Sequence, residues 1–228
     1  MHRPPGKWSF WRFNWIAHHK ILRAIERARV HAHGELLDVG CGDRRYEASF
    51  RGHATRYRGV DLPSSRFLQA QAPTAYASGD ALPFRGGSFD TVLGLSMLTY
   101  FPEPRRMVDE AHRVLKPGGT LILEFTQSSP LHDEPYDFLR FTRYGAAWLL
   151  ERSGFEVIDM IPIGGLGTLV GMSMIAGINR VNRGPWRVLT EIPARLLYVV
   201  VQLGCELCDL VFRNPREAVA HLAVARRR

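Results

Sequence analysis

Three aspartates stand at or just past the ends of apolar runs: Asp38 after Glu35-Leu36-Leu37, Asp61 after Gly59-Val60, and Asp80 after Ser78-Gly79. Directly behind the first, Gly40 and Gly42 allow a sharp turn that brings bare backbone against a ligand. In an open parallel sheet, ligands sit at the carboxyl ends of the strands, so acids placed there are candidate binding groups. A pyrophosphate would want G-x-G-x-x-G at this turn, but Arg45 stands where the last glycine belongs. The acids suit instead a cationic ligand with an amino group and a ribose. Asp38 offers an acceptor near the cation, Asp61 can take both ribose hydroxyls, and Asp80 can accept from an adenine amino group.

A second chemical group lies in SSPLHDEPYDFLRFTRYG, Ser128 to Gly145. His132 is a candidate general base, and Asp137 a group to orient it or to bond a substrate hydroxyl. Arg140 and Tyr144, about one helical turn apart, are candidates to bind an anionic or polar group. In the competing reading Asp137 and Arg140 form a local ion pair that pins the loop, and Thr142 caps the next helix. No metal is expected at His132, Asp133, Glu134 and Asp137, because loop carboxylates with a single histidine are usually solvated. Cys205-Glu206-Leu207-Cys208 spells C-x-x-C without a second pair, inside a predicted helix, so small apolar packing is expected there.

The elements that must position these groups alternate. An amphipathic helix is predicted from Phe13 to about Val30, with Ile16, Lys20, Ile21, Ile25 and Ala28 at helical spacing. Strands then end at Val39, at Asp61, near Asp80 and near Ser96. A helix from Pro102 to Leu115 is stopped by Lys116-Pro117-Gly118-Gly119. TLILEF is a fifth strand, FTRYGAAWLLERSG a helix closed by Gly154, FEVIDMIPI a sixth strand, and Ala220 to Ala225 a last strand with no helix after it. Apolar strands alternating with helices predict an α/β fold with a mostly parallel sheet covered on both faces. The expected organisation is an aromatic and basic helical segment over 1–34, a core over 35–163, an apolar helical insertion over 164–214 and a final strand with a basic tail over 215–228.

At 228 residues and 46% hydrophobic the chain can bury a full core. Three cysteines do not make a disulfide scaffold, which predicts a reducing, cytoplasmic setting. No secretory leader is expected, since the N-terminus lacks an uncharged apolar stretch with a cleavage site. A net charge of +8 predicts an anion-attracting surface. The arginines are scattered, which disfavours nucleic acid as the partner. Two apolar stretches in 164–214 are broken by glycine or charge and are expected to be helices rather than membrane spans. Together with Trp8, Phe10, Trp11, Phe13 and Trp15 they predict either a peripheral contact with an anionic membrane at the inner face, or a packing or homodimer seam.

Asp38-Val39-Gly40-Cys41-Gly42, Gly59-Val60-Asp61, Gly79-Asp80-Ala81-Leu82-Pro83-Phe84, Ser88-Phe89-Asp90 and Arg113 to Gly119 resemble, in order and spacing, the signatures of class I S-adenosylmethionine-dependent methyltransferases of the type 11-like group. The resemblance covers about residues 35 to 160. It implies a Rossmann-like seven-stranded sheet with an antiparallel last strand, and S-adenosyl-L-methionine as cofactor. Gly40 and Gly42 would pack under its methionine part, Asp38 would hold the amino end, Asp61 the ribose, Asp80 and Ala81 the adenine edge, and Leu95 and Ser96 would flank the sulfonium. His132 to Thr142 resembles His-x-x-Pro-x-Asp-Phe-x-Arg-Phe-Thr of a bacterial subset. The implied acceptor is a small molecule or a lipid- or glycan-linked one. A nucleic-acid methyltransferase, a binding module without turnover and a nicotinamide dehydrogenase are the alternatives. Two positions depart from the pattern: Arg44 stands where many relatives carry a third glycine, and Thr99-Tyr100 where many carry Glu-His.

Overall fold

A computed structural model describes residues 15–65, 68, 71–182, 187–212 and 214–228. The aromatics Trp8, Phe10, Trp11 and Phe13 lie outside the described residues. Seven strands, β1 (Gly34–Val39), β2 (Ala54–Asp61), β3 (Ala75–Tyr76), β4 (Phe89–Gly94), β5 (Leu115–Thr126), β6 (Phe155–Ile163) and β7 (Ala220–Arg227), form one sheet in the order β3-β2-β1-β4-β5-β7-β6. Pairings are parallel except those of β7, which runs antiparallel to β5 and β6. The expected Rossmann-like architecture is therefore present. It turns direction between β1 and β4, where Asp38 and Gly40 emerge, the place where such sheets bind ligands.

Helices cover both faces. On one lie α2 (Pro104–Val114) and α3 (Arg143–Arg152); α2 starts with a proline in its first turn and buries Met107, Val108, Ala111 and Val114. The Thr142 hydroxyl caps α3 by accepting from Gly145 N at 3.1 Å, and Gly154, at φ 86°, ends it as a left-handed residue should. On the other face α1 (Trp15–Ala28) sets Ala24, Ile25 and Ala28 against Leu36, Ile122 and Leu222. Beyond it stand α4 (Leu166–Val181) and α5 (Arg187–Val211), which pack through small residues. A Cβ added at Gly171 would lie 1.9 Å from Cys205 Sγ, so the thiol fills the glycine's notch. Burial pushes that thiol up to about 11, which makes it a packing group rather than a nucleophile.

Two boundaries differ from the sequence expectation. The third strand pairs only at Ala75 and Tyr76, so Asp80 stands in the turn beyond it. β5 begins already at Leu115, which pairs with Phe89, and Lys116 to Gly119 form an irregularity inside it, with Gly118 at φ 76°, before pairing with β4 resumes at Thr120. The reason is an ionic brace. Lys116 Nζ donates to both Asp90 oxygens at 2.8 and 2.9 Å, and Glu35 N donates to Asp90 Oδ2 at 2.8 Å, tying β1, β4 and β5 together at the end remote from the glycine turn.

Candidate active site

The glycine turn is shaped by left-handed backbone. Gly40 and Gly42 have φ of 75° and 52°, and a Cβ on Gly40 would fall 2.0 Å from Met97 Sδ. Arg44, the departure from the third glycine, also adopts φ 57°. A side chain in that region costs about 1–2 kcal/mol relative to a right-handed conformation. Two contacts offset the cost: Arg44 donates to Tyr57 O at 3.0 Å, and its guanidinium lies 5.3 Å from the Tyr57 ring centre.

Around this turn the acids gather. Asp38 is 1% exposed, accepts from the Tyr57 hydroxyl, and has its carboxyl pushed up to about 7, first by burial and then by the charge of Asp61, with Tyr57, Arg44 and Arg45 pulling the other way. Asp61 accepts from Gly42 N at 2.6 Å and Leu62 N at 2.7 Å, which fixes the turn to the tip of β2. Each oxygen keeps a lone pair for a further donor. Asp80 accepts from Ser78 Oγ. Gly79 beside it packs so tightly on Val39 and Phe101 that a Cβ would lie 2.8 and 2.9 Å from them, which holds Asp80 and exposed Ala81 over the end of β1. The Leu82-Pro83-Phe84 backbone that follows is clamped by α2: Leu82 N donates to Glu110 at 2.7 Å, while Arg113 donates to Leu82 O and Phe84 O at 2.9 and 2.7 Å. Leu95 is buried, and Ser96, at φ 56°, turns its hydroxyl to Glu124 Oε2 at 2.5 Å.

Next to Ser96 opens a cavity of about 140 Å³. Ala17 and Ile21 of α1, Met172 of α4, Ile163 and Val219 make its apolar side; Ser96, Thr99, Glu124, Ser128 and His132 make its polar side. Glu124, on β5 and 1% exposed, went unnoticed in the sequence reading, and burial raises its carboxyl above the ordinary range despite the bonds from Ser96. A lone carboxylate inside an otherwise apolar strand, Leu121-Ile122-Leu123-Glu124-Phe125, was the available signal. Tyr46 links the two regions. Its hydroxyl, pushed up to about 12 by burial, lies within the field of both Glu124 and Asp38.

The rim loop divides the other candidates. His132 lies at the cavity edge with Nδ1 3.1 Å from Pro130 O and 3.4 Å from Asp137 Oδ2. Asp137 is bound by both terminal nitrogens of Arg140, by Thr99 Oγ1 at 3.1 Å and by His132 N at 3.0 Å, and Arg140 holds its carboxyl well below the usual range. Arg140 also donates to Thr99 Oγ1 and Leu139 O, so its donors serve the loop. Tyr144 is 73% exposed with Arg143 4.8 Å over its ring, and the structure does not bring it to the cavity. The unusual Thr99-Tyr100 pair has a visible use. Thr99 braces Asp137, and the Tyr100 hydroxyl donates to Asp133 Oδ2 at 2.7 Å, so both secure the loop. Among the described residues no three His, Cys, Asp or Glu side chains are grouped to hold a metal. His18 is half-buried and pushed down to about 4, by burial and then by Arg45.

Sheet order, antiparallel final strand and flanking helices place the chain in the Rossmann-like methyltransferase fold class. Its residues 37–123 match the family described as a methyltransferase domain. Over 99 residues it is 36% identical to an uncharacterized methyltransferase of Mycobacterium leprae (strain TN), a match covering 40% of this chain and 36% of that protein. The chain thus spans little more than a third of the length of such mycobacterial relatives. Over 185 residues it is 29% identical to the ubiquinone biosynthesis O-methyltransferase of Pseudomonas aeruginosa (strain UCBPP-PA14), covering 66% of this chain and 72% of that one. Among solved structures, the [4+2]-cyclase SpnF superposes with TM-score 0.62 at 18% identity over 100% of this chain and 88% of its own. A phosphoethanolamine N-methyltransferase of Haemonchus contortus, complexed with S-adenosylhomocysteine, gives 0.56 at 16% identity over 98% and 54%. At those identities the likeness is one of fold.

Proposed function

We propose that this chain is an S-adenosylmethionine-dependent methyltransferase acting on a small-molecule or lipid-linked acceptor. The carrying observation is the convergence of Asp38, Asp61 and the Gly40–Gly42 turn at the point where the sheet reverses direction, beside a domain match that ends on β5. The residues fit the methyl donor. Asp38, at the edge of ionisation, is an acceptor for an ammonium group. Asp61 would take the ribose hydroxyls with its remaining lone pairs, Asp80 and Ala81 the adenine edge, and Gly40 and Gly42 would admit the methionine chain against bare backbone. Leu95 and Ser96 would border the sulfonium, whose activated methyl is the group transferred. The cavity beside Ser96 is then where an acceptor is held at attack distance, entering past His132, with Asp137 and Arg140 keeping the rim in place. A P. aeruginosa relative named as an O-methyltransferase of ubiquinone biosynthesis supports an acceptor with a lipid-like portion.

Contact with a membrane surface belongs to the same reading. Among the described residues no helix is long and apolar enough to cross a membrane. Yet α5 turns Leu189, Ile192, Leu196, Val200, Leu203 and Leu207 to solvent, spaced as one stripe, while its inward side is Ala194, Tyr198, Val201 and Cys205. Such a stripe on a basic protein suits the interface of an anionic bilayer. Calorimetry with S-adenosylhomocysteine tests the enzyme reading, which fails if binding is weaker than millimolar. Flotation with phosphatidylglycerol liposomes tests the membrane part, which fails if the protein stays at the bottom of the gradient at low salt.

A further inference from the structure

We infer that the cavity beside Ser96 receives a ring-sized, uncharged hydroxylated acceptor and that Glu124 is the catalytic base that takes its proton. The inference rests on the methyl-donor reading above and adds to it the class of acceptor and the group that meets it.

Position comes first. Glu124 follows Leu123, which pairs with Gly94 of β4, so it lies level with Leu95 and Ser96, the residues that would border the sulfonium. Its side chain shares the sheet face of Ile122 and α1, and there it lines the cavity. Ser96 Oγ donates to one oxygen, which fixes the carboxyl's orientation, and no cation among the described residues pairs with it. The arrangement is a buried acid lining a pocket whose opposite wall is apolar, made by Ala17, Ile21 and Met172.

Chemistry then selects the acceptor. An amine entering this pocket would be held by Glu124 as its ammonium, with the nucleophilic lone pair occupied by a proton. A carbon nucleophile carries no polar hydrogen on the attacking atom, so a bond to the carboxylate would not aim that atom at the methyl. A hydroxyl hydrogen-bonds Glu124 through its proton and leaves an oxygen lone pair directed at the methyl. The step balances: the acceptor oxygen bonds to the methyl carbon, the carbon–sulfur bond breaks with its electron pair returning to the positive sulfur, and the hydroxyl proton passes to the Glu124 carboxylate. Size points the same way. An apolar void of about 150 Å³ holds one benzene ring, and this cavity measures about 140 Å³.

The test uses the full chain, catechol as probe acceptor and benzylamine as its amine counterpart. Wild type should transfer methyl from S-adenosylmethionine to catechol and not to benzylamine. Glu124→Gln keeps the size and the Ser96 bond; it should bind S-adenosylhomocysteine within about threefold of wild type, while catechol turnover falls by about 10² to 10³. Catechol binding to the S-adenosylhomocysteine complex, followed by calorimetry, should weaken by about tenfold in this variant. Transfer to benzylamine instead of catechol, no transfer to catechol by a wild type that binds S-adenosylhomocysteine, or loss of turnover in His132→Asn but not in Glu124→Gln would each overturn the inference and leave the donor reading intact. Failure of wild type to bind S-adenosylhomocysteine would overturn the donor reading instead.

Discussion

The proposed donor side and the proposed acceptor side of this cleft are built on different principles. On the donor side, Asp38, Gly40, Gly42 and Asp61 come from two adjacent strands, and their bonds run mostly to neighbouring backbone, as in Gly42 N and Leu62 N to Asp61. On the acceptor side, Ala17, Ser96, Glu124, His132, Met172 and Val219 come from six separate segments that meet only when α1 and α4 close over the sheet. A ligand common to many enzymes can be held by one compact motif, whereas a pocket for a particular acceptor is assembled from variable parts. The two sides should therefore respond separately to mutation.

Asp61→Ala should do the most damage and confine it to the donor side. It removes the proposed ribose acceptor and also frees Gly42 N, so affinity for S-adenosylhomocysteine should fall by about 100-fold, ~2.7 kcal/mol. Calorimetry measures this directly; affinity within threefold of wild type would erase the distinction drawn above. Asp137→Asn should act on the other side. A buried carboxylate bound by Arg140, Thr99 and His132 N is replaced by a neutral group, and stability should drop by about 2 kcal/mol. Thermal unfolding reads that loss, while S-adenosylhomocysteine affinity should stay within about threefold. A matching collapse of donor affinity would mean that rim and donor site form one unit.

That division also explains what the sequence made legible. Asp38, the two glycines and Asp61 were readable because strand period, turn glycines and terminal acids are local signals, and the sheet then placed them together. The same rules identified both helices of the insertion and the Thr142 cap. Other features depend on contacts between distant residues. Ser88-Phe89-Asp90 and Lys116-Pro117-Gly118-Gly119, parts of the resemblance, are joined as a brace far from the cleft through Asp90 and Lys116. Glu124 is a single polar position in an apolar strand, and only its meeting with α1 and α4 makes it part of a pocket. The two helices of 164–214 were legible as helices, but which side of α5 faces α4 depends on Cys205 fitting the notch at Gly171.

A smaller effect sharpens the electrostatics of the donor side. Burial raises the Asp38 carboxyl to about 7, so below that pH the group is neutral and must lose a proton to meet a cation. Affinity for S-adenosylmethionine should rise with pH, by up to tenfold over the unit below that value, and level off above it. In the free protein the sign is opposite. The folded state holds a proton that the unfolded state releases between the ordinary aspartate range and about 7, so stability from this group declines as pH climbs through that window. Calorimetry in two buffers of different ionisation enthalpy should detect proton release on binding, and Asp38→Asn should abolish it. A pH-independent affinity would show that the acid does not meet the donor's charge.

His221 supplies the smallest effect and a control for both sides. It lies on β7 opposite Phe125, stacked on that ring at 5.8 Å between centres, and neither ring nitrogen has a hydrogen-bond partner among the described residues. Burial, with the charge of Arg143 adding to it, pushes the imidazole down to about 4. The unfolded chain therefore binds a proton near the ordinary histidine value that the folded chain refuses until about pH 4, and stability is lost as pH falls through that interval. His221→Leu should remove about 1 kcal/mol of this acid sensitivity and be at least as stable as wild type near neutrality, since it deletes two unpaired buried nitrogens. Denaturant unfolding at pH 5 and pH 7 measures both. Because His221 lines neither the glycine turn nor the cavity, S-adenosylhomocysteine affinity and catechol turnover should stay within about twofold; a larger change in either would mean that the sheet beneath the cleft couples the two sides that its loops keep apart.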